Sequence, residues 1–81
     1  MMTNSISLDL LPVGAQARVV SIAAQGSTRR RLLDLGLVPG TQVKTLRYSP
    51  SGDPTAYRIR GAVIALRQRE TEKILVQPAR E

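Results

Sequence analysis

Hydrophobic and polar residues alternate over short stretches of this chain, and Gly and Pro separate the stretches. The segment 15–22 is rich in Val and Ile, and further along Tyr57 and Ile59 alternate with Arg58 and Arg60. Alternation with a period of two is typical of a strand with one buried face. Both stretches therefore predict strands, and in the second we expect the arginines to face outward.

Three further strands are predicted at about 41–48, at 62–66 and around 74–76. In the predicted strand at 15–22 the alternation is interrupted, because Val19 and Val20 are adjacent apolar residues. Two neighbouring apolar residues indicate a bulge or a change of facing in a strand. The pattern thus predicts about five strands, of which the first is irregular.

One short helix is predicted after the first strand. Leu32 and Leu35 lie three residues apart and share a face, Ser27 can cap the start, and Gly36 can end the helix in a left-handed conformation. We expect a helix of about two turns. The Pro39-Gly40 pair then predicts a sharp turn into the next strand.

Five short strands with one inserted helix predict an all-β fold. A small barrel is expected, because closure of the sheet removes exposed strand edges. The 81 residues suit one domain, 1–81, with flexible ends at 1–6 and 78–81. The expected core consists of eight apolar residues: Leu32, Leu35, Leu37, Ile59, Ile64, Leu66, Ile74 and Val76.

The composition gives catalysis little support. The chain contains no Cys and no His, so it lacks the usual general base and any disulfide or thiolate metal site. The loop SPSGDP at 49–54 has one Gly and no following Lys, unlike a phosphate-binding loop. Glu70 and Glu72 form a close acidic pair, and we expect both to be solvated. The chain is therefore expected to be neither an enzyme nor the holder of a cofactor.

A metal site is not expected either. Fe(II) sites commonly combine His with carboxylates, and this sequence has no His. Asp34, Asp53, Glu70 and Glu72 offer only weak oxygen ligands, at which a divalent ion would be adventitious.

Membrane insertion is not expected, because the longest apolar run, Ala62 to Leu66, is far shorter than the roughly 20 residues of a spanning helix. The N-terminus also lacks a basic-then-apolar signal pattern. A cytoplasmic location is the expectation.

The net charge is +6, and ten of the twelve basic residues are Arg. Such a charge suits nucleic acid, anionic lipid or an acidic protein surface, and it also suits a merely solvated face. A basic β-barrel that binds nucleic acid is the main alternative function. Against it, the chain offers only Tyr48 and Tyr57 for base stacking, so we expect nucleic-acid binding to be non-specific.

Three stretches together resemble the ferrous iron transport protein A family (FeoA). They are RRRLLDLGLVPGTQV at 29–43, SPSGDP at 49–54 and IALRQRETEKILV at 64–76. The resemblance covers roughly Leu8 to Gln77. One departure is Thr71, where the family usually has Ala, which suggests a roomier or more polar site.

The resemblance implies an SH3-like barrel that acts in iron uptake without catalysis. It implies as partner the cytosolic, GTP-hydrolysing part of a membrane ferrous-iron transporter, which would recruit the chain to the inner face of the cytoplasmic membrane. Whether that GTPase is stimulated or restrained, and whether the chain self-associates, stay open.

We expect the partner to bind the outer side of the helix and the loop at 49–54. Arg29 to Arg31 are expected at the start of the helix, where their positive charge is unfavourable next to the helix dipole. Either they bind carboxylates of the partner, or they form a solvated face without a further role. The partner-binding residues predicted on this basis are Arg30, Arg31, Asp34, Ser51 and Asp53. Gly36, Pro39 and Gly40 are predicted to be structural.

Overall fold

The computed structural model describes residues 4–79 and contains one antiparallel sheet with three short helical segments. The six strands are β1 (Ile6–Ser7), β2 (Gln16–Ile22), β3 (Gln42–Tyr48), β4 (Thr55–Ile59), β5 (Ala62–Leu66) and β6 (Ile74–Pro78). A 3₁₀ helix spans Leu8–Leu10, α1 spans Gly26–Asp34 and α2 spans Gln68–Thr71.

The strands follow the order β1-β6-β2-β3-β4-β5 across the sheet. The predicted all-β class with one inserted helix is confirmed, but the strand number and the closure are corrected. There are six strands rather than five. The additional strand, β1, has only two residues, which are too few for an alternation of apolar and polar residues to predict it. Within residues 4–79 no ladder joins β1 to β5, so the sheet does not close into a barrel.

The bulge predicted in the first strand is confirmed. Along β2, Val19 pairs with Val76 and Ser21 pairs with Leu75 of β6, so the register skips Val20. Alternation after the buried Val19 already directs Val20 outward, and the bulge then brings Ile22 into the core where alternation would have placed Ser21. The alternation predicted for β4 is also confirmed, with Tyr57 and Ile59 buried.

Six of the eight predicted core residues are fully buried, while Leu35 and Ile64 are half-buried and pack against the core. The core also contains Leu8 and Leu11, which the 3₁₀ helix and the residue after it supply. A segment of three helical residues has too little periodicity to be predicted from its sequence pattern. The N-terminal contribution to the core was missed for this reason.

The predicted cap of α1 is wrong. The helix begins at Gly26, Gln25 occupies the N-cap position without a side-chain hydrogen bond, and Ser27 lies inside the first turn. Gly26 has a φ of 64°, a left-handed conformation that favours Gly, at the point where the chain enters the helix.

Hydrogen bonds at the exit of α1 form a Schellman motif. Gly36 has a φ of 102°, its N–H donates to Leu33 O at 2.9 Å, and the N–H of Leu37 donates to Leu32 O at 3.1 Å. A turn follows, closed by the Thr41 N–H on Val38 O at 3.0 Å. Pro39 and Gly40, with a φ of 93°, are its central residues, as in a type II turn.

The two chain ends were expected to be flexible at 1–6 and 78–81. Residues 1–3 and 80–81 lie outside the described residues. Ile6 pairs with Val76, and Pro78 pairs with Ala17. No helix in the described part of the chain is long and apolar enough to cross a membrane.

Candidate partner-binding surface

Helix α1 presents its polar side to solvent, and Leu32 fixes that orientation because it is completely buried. Arg30, Arg31 and Asp34, which were predicted to contact a partner, are all exposed on this helix. The structure therefore places these three residues where a partner can reach them.

The three consecutive arginines have different surroundings. Arg29 donates a hydrogen bond from Nη1 to the carbonyl oxygen of Ile22, at the end of β2, over 3.0 Å. Arg31 forms an ion pair with Glu70 of α2. Arg30 makes no side-chain hydrogen bond or ion pair with any residue of 4–79. The guanidinium of Arg30 is thus the one of the three that no group within residues 4–79 already engages.

Glu70 is not the solvated residue that the sequence analysis expected. Its side chain is only 14% exposed, it pairs with Arg31, and its Oε1 accepts the N–H of Arg67 at 3.1 Å. A glutamate at the third position of a helix commonly accepts the N–H of the N-cap residue in this way. Glu70 therefore has a structural role in holding α2 and joining it to α1.

The loop at 49–54 contains the other two predicted contact residues. Ser51 is exposed, and its Oγ donates to the carbonyl oxygen of Asp53 at 3.0 Å. Asp53 is half-buried, and its Oδ1 accepts the N–H of Gln68, the first residue of α2, at 2.9 Å. A carboxylate at the start of a helix satisfies one of its free N–H groups. Asp53 consequently anchors α2 from within the chain.

Helix α2 is the element that brings these residues together. It receives Arg31 from α1 and Asp53 from the loop, so the two predicted parts of the surface meet through it. The segment was predicted to be irregular, because Arg67 is not one of the residues that usually cap a helix start. We call the combined region the α1/α2 surface: Arg30, Arg31, Asp34, Ser51, Asp53 and Glu70.

Beneath this surface, Tyr57 of β4 is buried beside Thr71 of α2 and Thr55 of β4. Burial raises the pKa of Tyr57 to about 12, and the neighbouring hydroxyls of Thr71 and Thr55 partly offset the rise. Thr71, which departs from the resembled family's usual Ala, is itself buried, and its hydroxyl donates to Gln68 O at 3.2 Å. The more polar site suggested by that departure lies in the interior, next to Tyr57.

No group of three or more His, Cys, Asp or Glu side chains comes together within residues 4–79. Two of the four carboxylates considered as weak oxygen ligands, Asp53 and Glu70, are engaged in hydrogen bonds inside the chain.

Comparison with known proteins supports the resemblance. The FeoA domain model matches residues 6–78. The Fe(2+) transport protein A/Fe(2+) transporter FeoB fusion protein of Porphyromonas gingivalis is 34% identical over 70 residues, which are 86% of this chain and 8% of that protein. This chain thus spans only a small part of that relative.

Solved structures share the fold. The FeoA protein of Chlorobium tepidum is 41% identical, with a TM-score of 0.87 over 93% of this chain and 71% of that one. FeoA of Stenotrophomonas maltophilia, solved with zinc and described as a prokaryotic SH3 domain protein, is 31% identical, with a TM-score of 0.78 over 95% of this chain and 91% of that one. The sheet with its inserted helix is thus consistent with an SH3-like fold, and the chain belongs to the FeoA family.

Proposed function

We propose that this chain is a non-catalytic accessory protein of ferrous iron uptake. It binds the cytosolic, GTP-hydrolysing part of a membrane Fe(2+) transporter of the FeoB type and modulates it. It works in the cytoplasm, at the inner face of the membrane where its partner holds it.

The observation that carries this proposal is the fusion in Porphyromonas gingivalis, in which a segment similar to this chain is part of one polypeptide with an Fe(2+) transporter. Fusion keeps two binding modules at an effective concentration of the order of millimolar, so even a weak contact persists. The contact itself still needs a surface on the FeoA domain. The α1/α2 surface is our candidate for this contact.

The charges of the α1/α2 surface indicate what its partner offers. Arg30 forms no ion pair within residues 4–79, whereas Arg31 and Asp53 are already held by α2. An unpaired, exposed arginine suits a carboxylate, which its guanidinium binds through two parallel hydrogen bonds. We therefore assign the main contact to Arg30 and expect a carboxylate of the transporter opposite it. The exposed Asp34 and Ser51 offer an acceptor and a hydroxyl to polar groups of the same partner.

A strain that lacks this chain provides the test. Wild-type protein should restore ferrous iron uptake and co-purify with the transporter from detergent extract, and Arg30→Glu should do neither fully. Arg47→Glu is the matched control, because it makes the same change of charge on an exposed residue of β3 that does not belong to the α1/α2 surface.

Two results would contradict the proposal. Uptake in the deletion strain could equal that of the parent strain, or the transporter could be absent from material purified with the wild-type chain. Uptake restored equally by Arg30→Glu and wild type would instead place the contact outside the α1/α2 surface.

A further inference from the structure

The sheet carries a groove of about 630 Å³ on its outer face, lined by β2, β3, β4 and the turns at 39–41 and 60–61. Three basic residues line it: Lys44, Arg58 and Arg60. Lys44 and Arg58 occupy directly opposite positions on β3 and β4. Like charges at opposed positions destabilise a sheet, so packing gives no reason for this arrangement. We call this region the cationic groove.

The positive charge of the cationic groove is not neutralised from within the described chain. None of the lining residues is acidic, and the ion pair found in residues 4–79, between Arg31 and Glu70, lies elsewhere. A fourth cation stands at the rim, where Arg18 donates from Nη1 to the carbonyl oxygen of Gly40 at 3.2 Å. The groove therefore presents several positive charges to whatever enters it.

The rest of the lining suits a peptide. Gln16 lies opposite Lys44 on the neighbouring strand, and Gln42 donates its side-chain amide to Gln16. Amide side chains both donate and accept hydrogen bonds, as a peptide backbone does. Apolar surface adjoins them, with Pro39 in the lining and the exposed Val63 opposite Arg58.

We propose that the cationic groove binds an acidic peptide segment of a protein partner. Alternate side chains of an extended peptide are about 7 Å apart, so carboxylates at every second residue can meet neighbouring cations of the groove. Arg58 and Arg60 bind carboxylates through two hydrogen bonds each, and Lys44 binds as a point charge. The groove volume is in the usual range for sites that hold a small ligand or a few residues.

Nucleic acid and free phosphate suit the groove less well. Its lining contains no aromatic residue on which a base could stack, and no helix N-terminus, where phosphate commonly binds. The inference does not rest on the iron-transport proposal, because the groove shares no residue with the α1/α2 surface. Either proposal can therefore fail without the other.

The test uses the full chain and a fluorescein-labelled octapeptide of alternating Glu and Leu, followed by fluorescence anisotropy at about 50 mM salt, where surface charges are weakly screened. The double variant Lys44→Glu/Arg58→Glu should weaken binding at least about tenfold. The neutral double variant Lys44→Gln/Arg58→Gln should weaken binding less. It replaces the charge-reversed variant in the test if that variant does not fold. The control Arg69→Glu/Lys73→Glu reverses one Arg and one Lys that are exposed in α2 and just after it, outside both proposed binding surfaces, and it should stay within about twofold of wild type.

Three outcomes would overturn the inference. The octapeptide could fail to bind wild type, or Arg69→Glu/Lys73→Glu could weaken binding as much as the groove variant, which would show only diffuse attraction. Tighter binding of inorganic triphosphate or of a single-stranded oligonucleotide, lost in Lys44→Glu/Arg58→Glu, would assign the groove to phosphate groups. A matched peptide with Lys in place of Glu should not bind.

Discussion

The aliphatic part of the Arg60 side chain lies against the backbone of Gly36, so that a methyl group added at Gly36 would overlap Cδ of Arg60 and stand 3.2 Å from its Cγ. Gly36 ends α1, and Arg60 opens the turn between β4 and β5 with a φ of 53°. Positive φ is uncommon for a residue other than Gly. The exit of α1 and the turn between β4 and β5 are thus packed against each other at these two residues.

Substitution of Gly36 tests this contact. Gly36→Ala should lower the free energy of unfolding by about 1–3 kcal/mol, because it adds the overlap with Arg60 to the strain of a positive φ. Gly36→Val should cost more, since a β-branched residue is strongly disfavoured at positive φ. Urea denaturation measures both values.

Gly14→Ala is the matched control, because Gly14 has a φ of 89° but open space where a Cβ would lie. It should show the backbone strain alone, about 1 kcal/mol. Removing the Arg60 side chain, as Arg60→Ala, should recover part of the loss in Gly36→Ala. Equal losses for Gly14→Ala and Gly36→Ala would show that the contact with Arg60 is unimportant.

Asp53 should contribute to stability as well as to the surface. Asp53→Ala removes the acceptor for the Gln68 N–H and should cost about 0.5–2 kcal/mol of unfolding free energy, as loss of a helix cap does. Asp53→Asn keeps an oxygen acceptor and should cost less. The exposed Ser51, changed to Ala, should stay within about 0.5 kcal/mol of wild type. A neutral Asp53→Ala would remove the anchoring role that we assign to this residue.

Arg30 and Arg31 should differ in their effect on stability. Arg31→Glu places a second carboxylate beside Glu70 and should destabilise the fold by about 1 kcal/mol, and increasing salt should reduce that loss. Arg30→Glu should leave the melting temperature almost unchanged, because surface substitutions commonly stay within about 0.5 kcal/mol. Thermal unfolding at two salt concentrations distinguishes them. Identical behaviour of the two variants would contradict the surroundings we describe for these arginines.

Tyr57 should make stability depend on pH at the alkaline end. Burial raises its pKa to about 12 in the folded state, whereas an exposed tyrosine in the unfolded chain titrates at about 10. The folded state then holds its proton more tightly, so stability is full below pH 10 and falls as pH rises towards 12. The loss should reach up to about 3 kcal/mol. Tyr57→Phe should lack this part of the loss, and an unchanged pH profile in that variant would refute the assignment.

The sequence predicted the parts of the fold that depend on local periodicity. Successive side chains of a strand point to opposite faces, so the order of apolar and polar residues shows which face each one joins. On this basis the alternation of Tyr57 and Ile59 with arginines predicted β4, and the adjacent pair Val19 and Val20 indicated the bulge in β2. Elements of two to four residues were missed, since β1, the 3₁₀ helix and α2 are each too short to display a period.

The candidate site was predicted less completely than the fold, because its parts meet through contacts between residues distant in sequence. Exposure of Arg30 and Asp34 followed from the helix pattern. The engagement of Arg31 with Glu70 and of Asp53 with Gln68 depends on where α2 packs, which no local pattern encodes. The cationic groove likewise arises from the pairing of β3 with β4, which places Lys44 opposite Arg58.

Calorimetric titration of the purified chain into the soluble GTP-binding domain of the transporter from the same organism tests the central claim most directly. The account predicts binding that weakens as salt rises, with Arg30→Glu at least about tenfold weaker and Arg47→Glu within about twofold of wild type. Equal affinities for wild type and Arg30→Glu would contradict the assigned contact, and no binding of the wild-type chain at low salt would contradict the proposed partnership itself.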